Sequence, residues 1–317
     1  MIMIINIFTS ITGYMTIKSR ISRIKKLGLG IAIFVLAQHV WADGNLFGYV
    51  KGVETLPKGG QELYQWITNR SDKGAGHYSA FDYKTEYERG ITDKFNASIA
   101  LKTMSLDTSG IVIDGYMPAD KKFGFKFSGI EVGGKYNFLS PATEFIGLSN
   151  QFELSYSVID PHSGQDKDTI NFENNLITQK YFMDASLVWV GNLMFEGTYA
   201  KRDEISNLPE NFEWPTKPEM ELEIQLGTGL SYRFAPNWYA GMETQYETEF
   251  ETEVGQERWT WFMGPSLHYG SKDYWVTASW FNQLRGSREK FDAQDNKDLH
   301  LIEKTKNEFR LKFGYNF

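Results

Sequence analysis

Polar and apolar residues alternate along most of this chain. The run 219–234 reads EMELEIQLGTGLSYRF. Met220, Leu222, Ile224, Leu226, Thr228, Leu230, Tyr232 and Phe234 share one face, and Glu219, Glu221, Glu223, Gln225, Gly227, Gly229, Ser231 and Arg233 share the other. A period of two over sixteen residues is the periodicity of a strand. The run outlasts the roughly 5–6 residues of an ordinary soluble strand and suits a tilted membrane crossing. Residues 238–250 repeat the pattern, with Glu243, Glu247 and Glu249 on the polar face. Only Ala235-Pro236-Asn237 separates the two runs, and these residues favour a tight turn.

The same periodicity predicts about twelve strands, at 60–69, 78–90, 95–106, 125–138, 148–158, 170–182, 187–202, 219–234, 238–250, 257–269, 274–284 and 303–317. Short connections such as Thr92-Asp93-Lys94, Ser140-Pro141-Ala142, Met183-Asp184 and Lys272-Asp273 alternate with longer polar ones at 70–77, 107–124, 159–169, 203–218, 251–256 and 285–302. Short then long is the rhythm of an up-and-down barrel with tight periplasmic turns and longer outer loops. The predicted fold is all-β: an antiparallel transmembrane β-barrel of about twelve strands.

A soluble β-sandwich is the alternative. It would expose the last strand, whose apolar residues fall at Phe309, Leu311, Phe313, Tyr315 and Phe317, as an aggregation-prone edge that barrel closure removes. The ending Phe313, Tyr315, Phe317 resembles the C-terminal signature of outer-membrane barrels, which the barrel assembly machinery reads. Trp238, Tyr239, Phe234, Tyr274, Trp275, Phe95 and Phe138 flank the short turns, where an interfacial girdle facing outer-membrane lipid belongs.

Composition agrees. Aromatics reach 15%, yet the mean hydropathy is −0.41. Lipid-facing and wet positions cancel in this way along barrel strands, whereas a helical membrane protein needs runs of about 20 apolar residues. Residues 1–42 carry Lys18, Arg20, Arg23, Lys25 and Lys26 and no acid, then an apolar stretch at 27–37 and Val40-Trp41-Ala42. They read as a secretory signal peptide, with Met15 an alternative start of more usual length. The chain holds no cysteine, so a lipoprotein signal and thiolate chemistry are excluded. Removing the five signal bases from 33 bases and 40 acids leaves a net charge of −12, which argues against a nucleic-acid partner. The domain reading is a signal at 1–42, a segment at 43–59 that lies in the periplasm or tucks into the lumen, and a barrel at 60–317 in a Gram-negative outer membrane.

The stretch Gly44-Asn45-Leu46-Phe47-Gly48-Tyr49-Val50-Lys51-Gly52, with Leu56-Pro57-Lys58-Gly59 and Glu62-Leu63-Tyr64-Gln65-Trp66, resembles the start of an uncharacterised family of outer-membrane barrels. The hairpin at 88–95 is similar to that family's first periplasmic turn. The Leu-Pro-x-Gly lead-in also resembles barrel transporters linked to aromatic-compound degradation. The resemblance implies fold and location, and no catalytic or binding residue.

Three functional classes follow. A barrel of this size has a lumen intermediate between plugged small barrels and wide porins, so the first is a porin-like channel for passive passage of small solutes. The candidate lumen-lining residues are Glu221, Glu223, Glu243, Glu247, Glu249, Arg233, Arg258, Arg310 and Lys312. Opposed charges across a narrow lumen form either a transverse field or a salt-bridged filling. The acidic hairpin needs counter-charges, since like charges repel across strands, and its alternation lacks the geometry of a calcium loop, so no metal or other cofactor is expected. The second class is a lipid-modifying enzyme. Of the histidines beyond residue 42 only His268 falls on a predicted strand, with Ser266 two residues away on the same face; no G-x-S-x-G is present, and this class is set aside. The third is a non-conducting structural or surface-interaction barrel working through its outer loops, of which the Pro- and Trp-bearing 203–218 could fold over the pore.

Overall fold

The computed structural model describes residues 44–251, 255–287, 289–296 and 298–317; the expected signal peptide at 1–42 lies outside them. Twelve strands follow in chain order: β1 (Gln61–Ser71), β2 (His77–Thr92), β3 (Phe95–Ser109), β4 (Lys121–Leu139), β5 (Gly147–Ile159), β6 (Asp166–Phe182), β7 (Leu187–Arg202), β8 (Glu219–Ala235), β9 (Trp238–Glu251), β10 (Gly255–Gly270), β11 (Tyr274–Gly286) and β12 (Asn307–Asn316). Each pairs antiparallel with its neighbours in sequence, and β12 returns to β1 in the register Trp66↔Lys312 and Thr68↔Arg310. The barrel is closed, so no edge strand is left unpaired.

The period of two sorts the side chains as expected. Leu222, Leu226 and Leu230 on β8 and Phe309, Phe313 and Tyr315 on β12 are exposed on the outer wall, while Glu243, Glu247 and Glu249 on β9 are buried inside. An exterior so rich in exposed apolar side chains suits hydrocarbon and would be a liability in water.

Three expectations need correction. The last strand begins at Asn307 rather than at 303, because Glu303 and Lys304 belong to the preceding loop and form ion pairs inside the barrel mouth. The girdle is also thinner than expected. Trp238, Phe234, Phe138 and Tyr274 face outward, but Tyr239 (6% exposed) and Trp275 (1% exposed) face inward. Neighbouring residues on a strand point to opposite sides, so Trp238 and Tyr239 cannot both meet lipid. Finally, the loop at 203–218 is mostly exposed and leans on the loop at 110–120, where Glu213 N–H donates to Asp114 Oδ1 at 2.8 Å. The mouth is filled instead by Ile111, Ile113, Tyr116 and Met117 of 110–120 and Leu299 and Leu301 of 287–306, which pack on Tyr78, Met104, Leu106 and Ile159 of the wall. Apolar side chains drive that inward fold, and 203–218 is too polar to compete.

The segment at 44–54 packs inside the barrel wall. Leu46, Phe47, Val50 and Val53 are buried against Ile177, Val188, Val190 and Tyr239. Phe47 fits where β8 and β9 carry Gly229 and Gly241: a Cβ at Gly229 would lie 2.7 Å from the Phe47 ring. The segment's own glycines allow equally close approach, since a Cβ at Gly48 would lie 2.6 Å from the Ser279 side chain.

Candidate functional site

Between the N-terminal segment and the long loops lies a cavity of about 560 Å³. Tyr49 and Lys51 of the segment line one end, and Tyr116, Asp160, Pro161, His162, Glu303 and Lys304 of the long loops line the other. Its wall is polar and crowded with charge: twelve acids and nine bases line it. Buried charge is tolerated only when paired or hydrogen-bonded, and most of these groups fall into clusters.

The N-terminal segment is held by wall side chains rather than by strand pairing. Glu243 Oε1 accepts from Gly48 N–H at 2.9 Å, and Oε2 accepts from Tyr49 N–H at 2.8 Å and Val50 N–H at 3.0 Å. Asn192 accepts from Lys51 N–H at 2.7 Å and donates to its carbonyl at 2.9 Å, and Val53 N–H donates to Gln179 at 3.1 Å. Lys51 Nζ sits 3.2 Å from both Glu153 and Glu173. Burial alone would push this ammonium's pKa down, but the two carboxylates more than offset it and hold it above the ordinary lysine value.

At the end lined by the long loops, Arg202 bridges Asp160 at 3.4 Å and Glu219 at 3.0 Å. Burial would raise Asp160, yet Arg202 and Lys167 hold it well below the usual carboxylate range. Arg258 joins Glu249 to Glu303, the latter at 2.8 Å, and Lys304 Nζ lies 2.6 Å from Glu247. Arg70 grips Asp82 at 2.6 Å and meets His162 Nδ1 at 2.7 Å.

Of the residues expected to line the lumen, Glu221, Glu223, Glu247, Glu249, Arg258 and Arg310 border the cavity. Glu243 faces inward, but both its oxygens are occupied by the N-terminal segment. Lys312 donates to Asn45 Oδ1 at 2.9 Å and the Phe47 carbonyl at 3.3 Å, so it too serves the segment. Arg233 is half-buried near the short turn at 236–237 and lies off the cavity. Lys51, Asn192, Gln179, Asp160, Arg202, Glu303 and Lys304 were not anticipated as site residues. Ser266 and His268 form no pair: His268 Nδ1 meets Thr277 Oγ1 at 2.7 Å, while Ser266 Oγ has no hydrogen-bond partner among the described residues.

Lys73, fully buried in the loop between β1 and β2, fastens the loop at 287–306. Its ammonium donates to the carbonyls of Leu301, Ile302 and Lys304 at 3.1, 2.7 and 3.0 Å. Burial lowers its pKa to about 7, Arg70 and Arg258 adding to the fall while Glu303 and Asp160 oppose it. A group whose docked pKa lies below its free value, about 10.4 for lysine, binds fewer protons when docked. Docking of the loop therefore strengthens as pH rises from about 7 toward that value and is weakest below 7. A nitroxide on a cysteine replacing Glu289 should be more mobile at pH 6 than at pH 9, and Lys73→Met should abolish the difference. An unchanged spectrum across that range would disprove this role.

In fold, the barrel is similar to the COG4313 outer-membrane channel of Pseudomonas putida F1, with a TM-score of 0.53 and 11% identity over 84% of this chain and 98% of that one. It is also similar to the NanC porin, at a TM-score of 0.47 and 8% identity over 80% of this chain and 98% of that one. A mutant of the TodX monoaromatic hydrocarbon channel gives 0.42 and 9% over 84% and 92%. Comparison with curated proteins gave no match. The model of a family of unknown function, DUF6662, matches residues 39–317.

Proposed function

This chain belongs to the family of unknown function DUF6662, and from that premise and the geometry of the lumen we propose that it is a porin-like outer-membrane channel passing small polar solutes passively. The observation that carries this reading is the 560 Å³ cavity, lined by charge and enclosed by the strands of a closed barrel. A barrel built only as a structural element gains nothing from keeping so many ionic groups around an open space, because each buried charge costs desolvation. In this reading the segment at 44–54 is a plug that leaves for passage, and the leader at 1–42 directs export.

The alternative, a non-conducting barrel, draws support from the obstruction at both ends, by the N-terminal segment and by the loops at 110–120 and 287–306. Recordings in planar bilayers separate the two. Discrete conductance steps from the whole protein, or from protein lacking the segment, support the channel. A sealed barrel in both forms rejects it.

We also assign Phe317 to recognition by the barrel assembly machinery. It is exposed, its N–H donates to the Gln61 carbonyl at 3.0 Å, and its ring lies 6.2 Å from that of Tyr315. Phe317→Ala removes little packing, so its expected effect is slower assembly in cells with an unchanged unfolding midpoint once folded. Normal assembly kinetics would remove the assignment.

A further inference from the structure

The register of the wall builds one feature that the salt-bridged clusters do not explain. Glu153 pairs directly with Glu173, Glu173 with Glu196, Glu196 with Glu223, and Glu223 with Glu249, across the five consecutive strands β5 to β9. All five border the cavity. Adjacent strands lie about 4.8 Å apart, so the carboxylates follow one another at a short, regular step. Barrel strands tilt by roughly 35–45°, and a row running across tilted strands climbs along the barrel axis. The five glutamates therefore form a ramp. Its inner end meets Lys51 of the N-terminal segment, and its outer end meets Arg258 and Lys304.

Like charges placed directly opposite one another across strands are destabilising, so the row calls for cations. The cations present serve its ends. At the centre, Glu196 accepts hydrogen bonds from Asn171 at 2.8 Å and Thr198 at 3.3 Å, and among the described residues no base forms a salt bridge with it. Two further groups point to an absent donor. Asn175 borders the same cavity and is 3% exposed, yet its Oδ1 has no hydrogen-bond partner among the described residues. Glu249, 4% exposed, gives Oε2 to Arg258 while Oε1 has none.

The kind of donor follows from the chemistry. Among the described residues no group of three acids or histidines is arranged to hold a metal ion. An ammonium group, with three N–H donors, can instead bridge successive carboxylates, as Lys51 does between Glu153 and Glu173 at 3.2 Å to each. We propose that the ramp binds small linear primary amines, with ammonium groups seated along Glu173, Glu196 and Glu223 and the Asn175 amide oxygen as an additional acceptor. As a statement about transport, the proposal rests on the channel reading; as a statement about binding, it stands separately.

The test is calorimetric titration of the whole detergent-solubilised protein with 1,4-diaminobutane, beside bilayer recordings on the same preparation. Saturable binding is expected. It should weaken by about tenfold or more in the Glu196→Gln, Glu223→Gln double variant, since replacing two charge-assisted hydrogen bonds by neutral ones costs about 1.4 kcal/mol or more in all. Removing like charges relieves repulsion, so the variant should still fold, which its heat-modifiable gel mobility checks. Glu210→Gln in the exposed loop at 203–218 should bind as the parent does. Lys51→Met, which vacates the Glu153–Glu173 pair, should tighten diamine binding. The proposal is overturned by absent binding, by binding undiminished in the double variant, or by binding of calcium alone. If conductance persists in that event, the channel reading survives. Diamine binding in a barrel that never conducts keeps the site and rejects the channel.

Discussion

Removing residues 44–56 is expected to raise the single-channel conductance of the barrel severalfold. The reason lies in how narrowly the segment is held. Burying Leu46, Phe47, Val50 and Val53 contributes about 1.5–3 kcal/mol each, or about 6–12 kcal/mol together. Ordering the eleven residues from Gly44 to Glu54 costs about 1–2 kcal/mol each, or about 11–22 kcal/mol. Apolar contact alone therefore does not keep the segment in place. The three N–H groups bound by Glu243 add about 1.5–3 kcal/mol each, which brings the two sides level. A single substitution, Glu243→Ala, should then release the segment and approach the conductance of the deletion. Gly229→Leu should do the same from another direction, by filling the space of the Phe47 ring. If none of the three changes conductance, the segment does not obstruct the path.

The second large effect concerns the wall. Gly264→Ala should prevent the barrel from closing normally, lowering refolding yield and unfolding midpoint together. A Cβ at Gly264 would lie 1.6 Å from the Trp280 carbonyl oxygen, and that obstacle is backbone, which no rotamer change can clear. The next residue, Pro265, has no N–H to donate, and the β10–β11 pairing lapses between Met263↔Asn282 and Ser266↔Ser279. The cost should reach or exceed the about 1–3 kcal/mol usual for overpacking. Gly197→Ala is the control: nothing lies within 4 Å of its Cβ position, on the exposed face of β7. Equal urea midpoints for the two variants would refute the argument.

The strands were legible because each separates two solvents. Hydrocarbon on one side and wet lumen on the other impose a period of two, and β8 and β9 show it over their whole lengths. The loop fold was not legible, since nothing local says that Ile111, Ile113 and Met117 turn inward while Trp214 stays on the rim. The lumenal segment was hidden for another reason. Residues 44–54 have neither strand nor helix period, and their partners are remote: Gly48 and Glu243 are 195 positions apart, Lys51 and Glu153 are 102 apart. Glycines at 44, 48 and 52 among Leu46, Phe47, Val50 and Val53 were the available sign of a tightly seated apolar stretch. The ramp was hidden although two of its glutamates, Glu223 and Glu249, were expected to line the lumen. Which glutamate faces which depends on strand register, which the turns and bulges set rather than the alternation itself.

The same long separations order events in time. Gly48 leaves the ribosome well before Glu243, yet the three-amide socket at Glu243 exists only once β9 has paired with β8 and β10. The earliest-made of these residues must wait, unanchored, until almost the whole wall has been laid down. Seating of the leading residues is then a late step of assembly, possible only after β8, β9 and β10 have come together around Glu243.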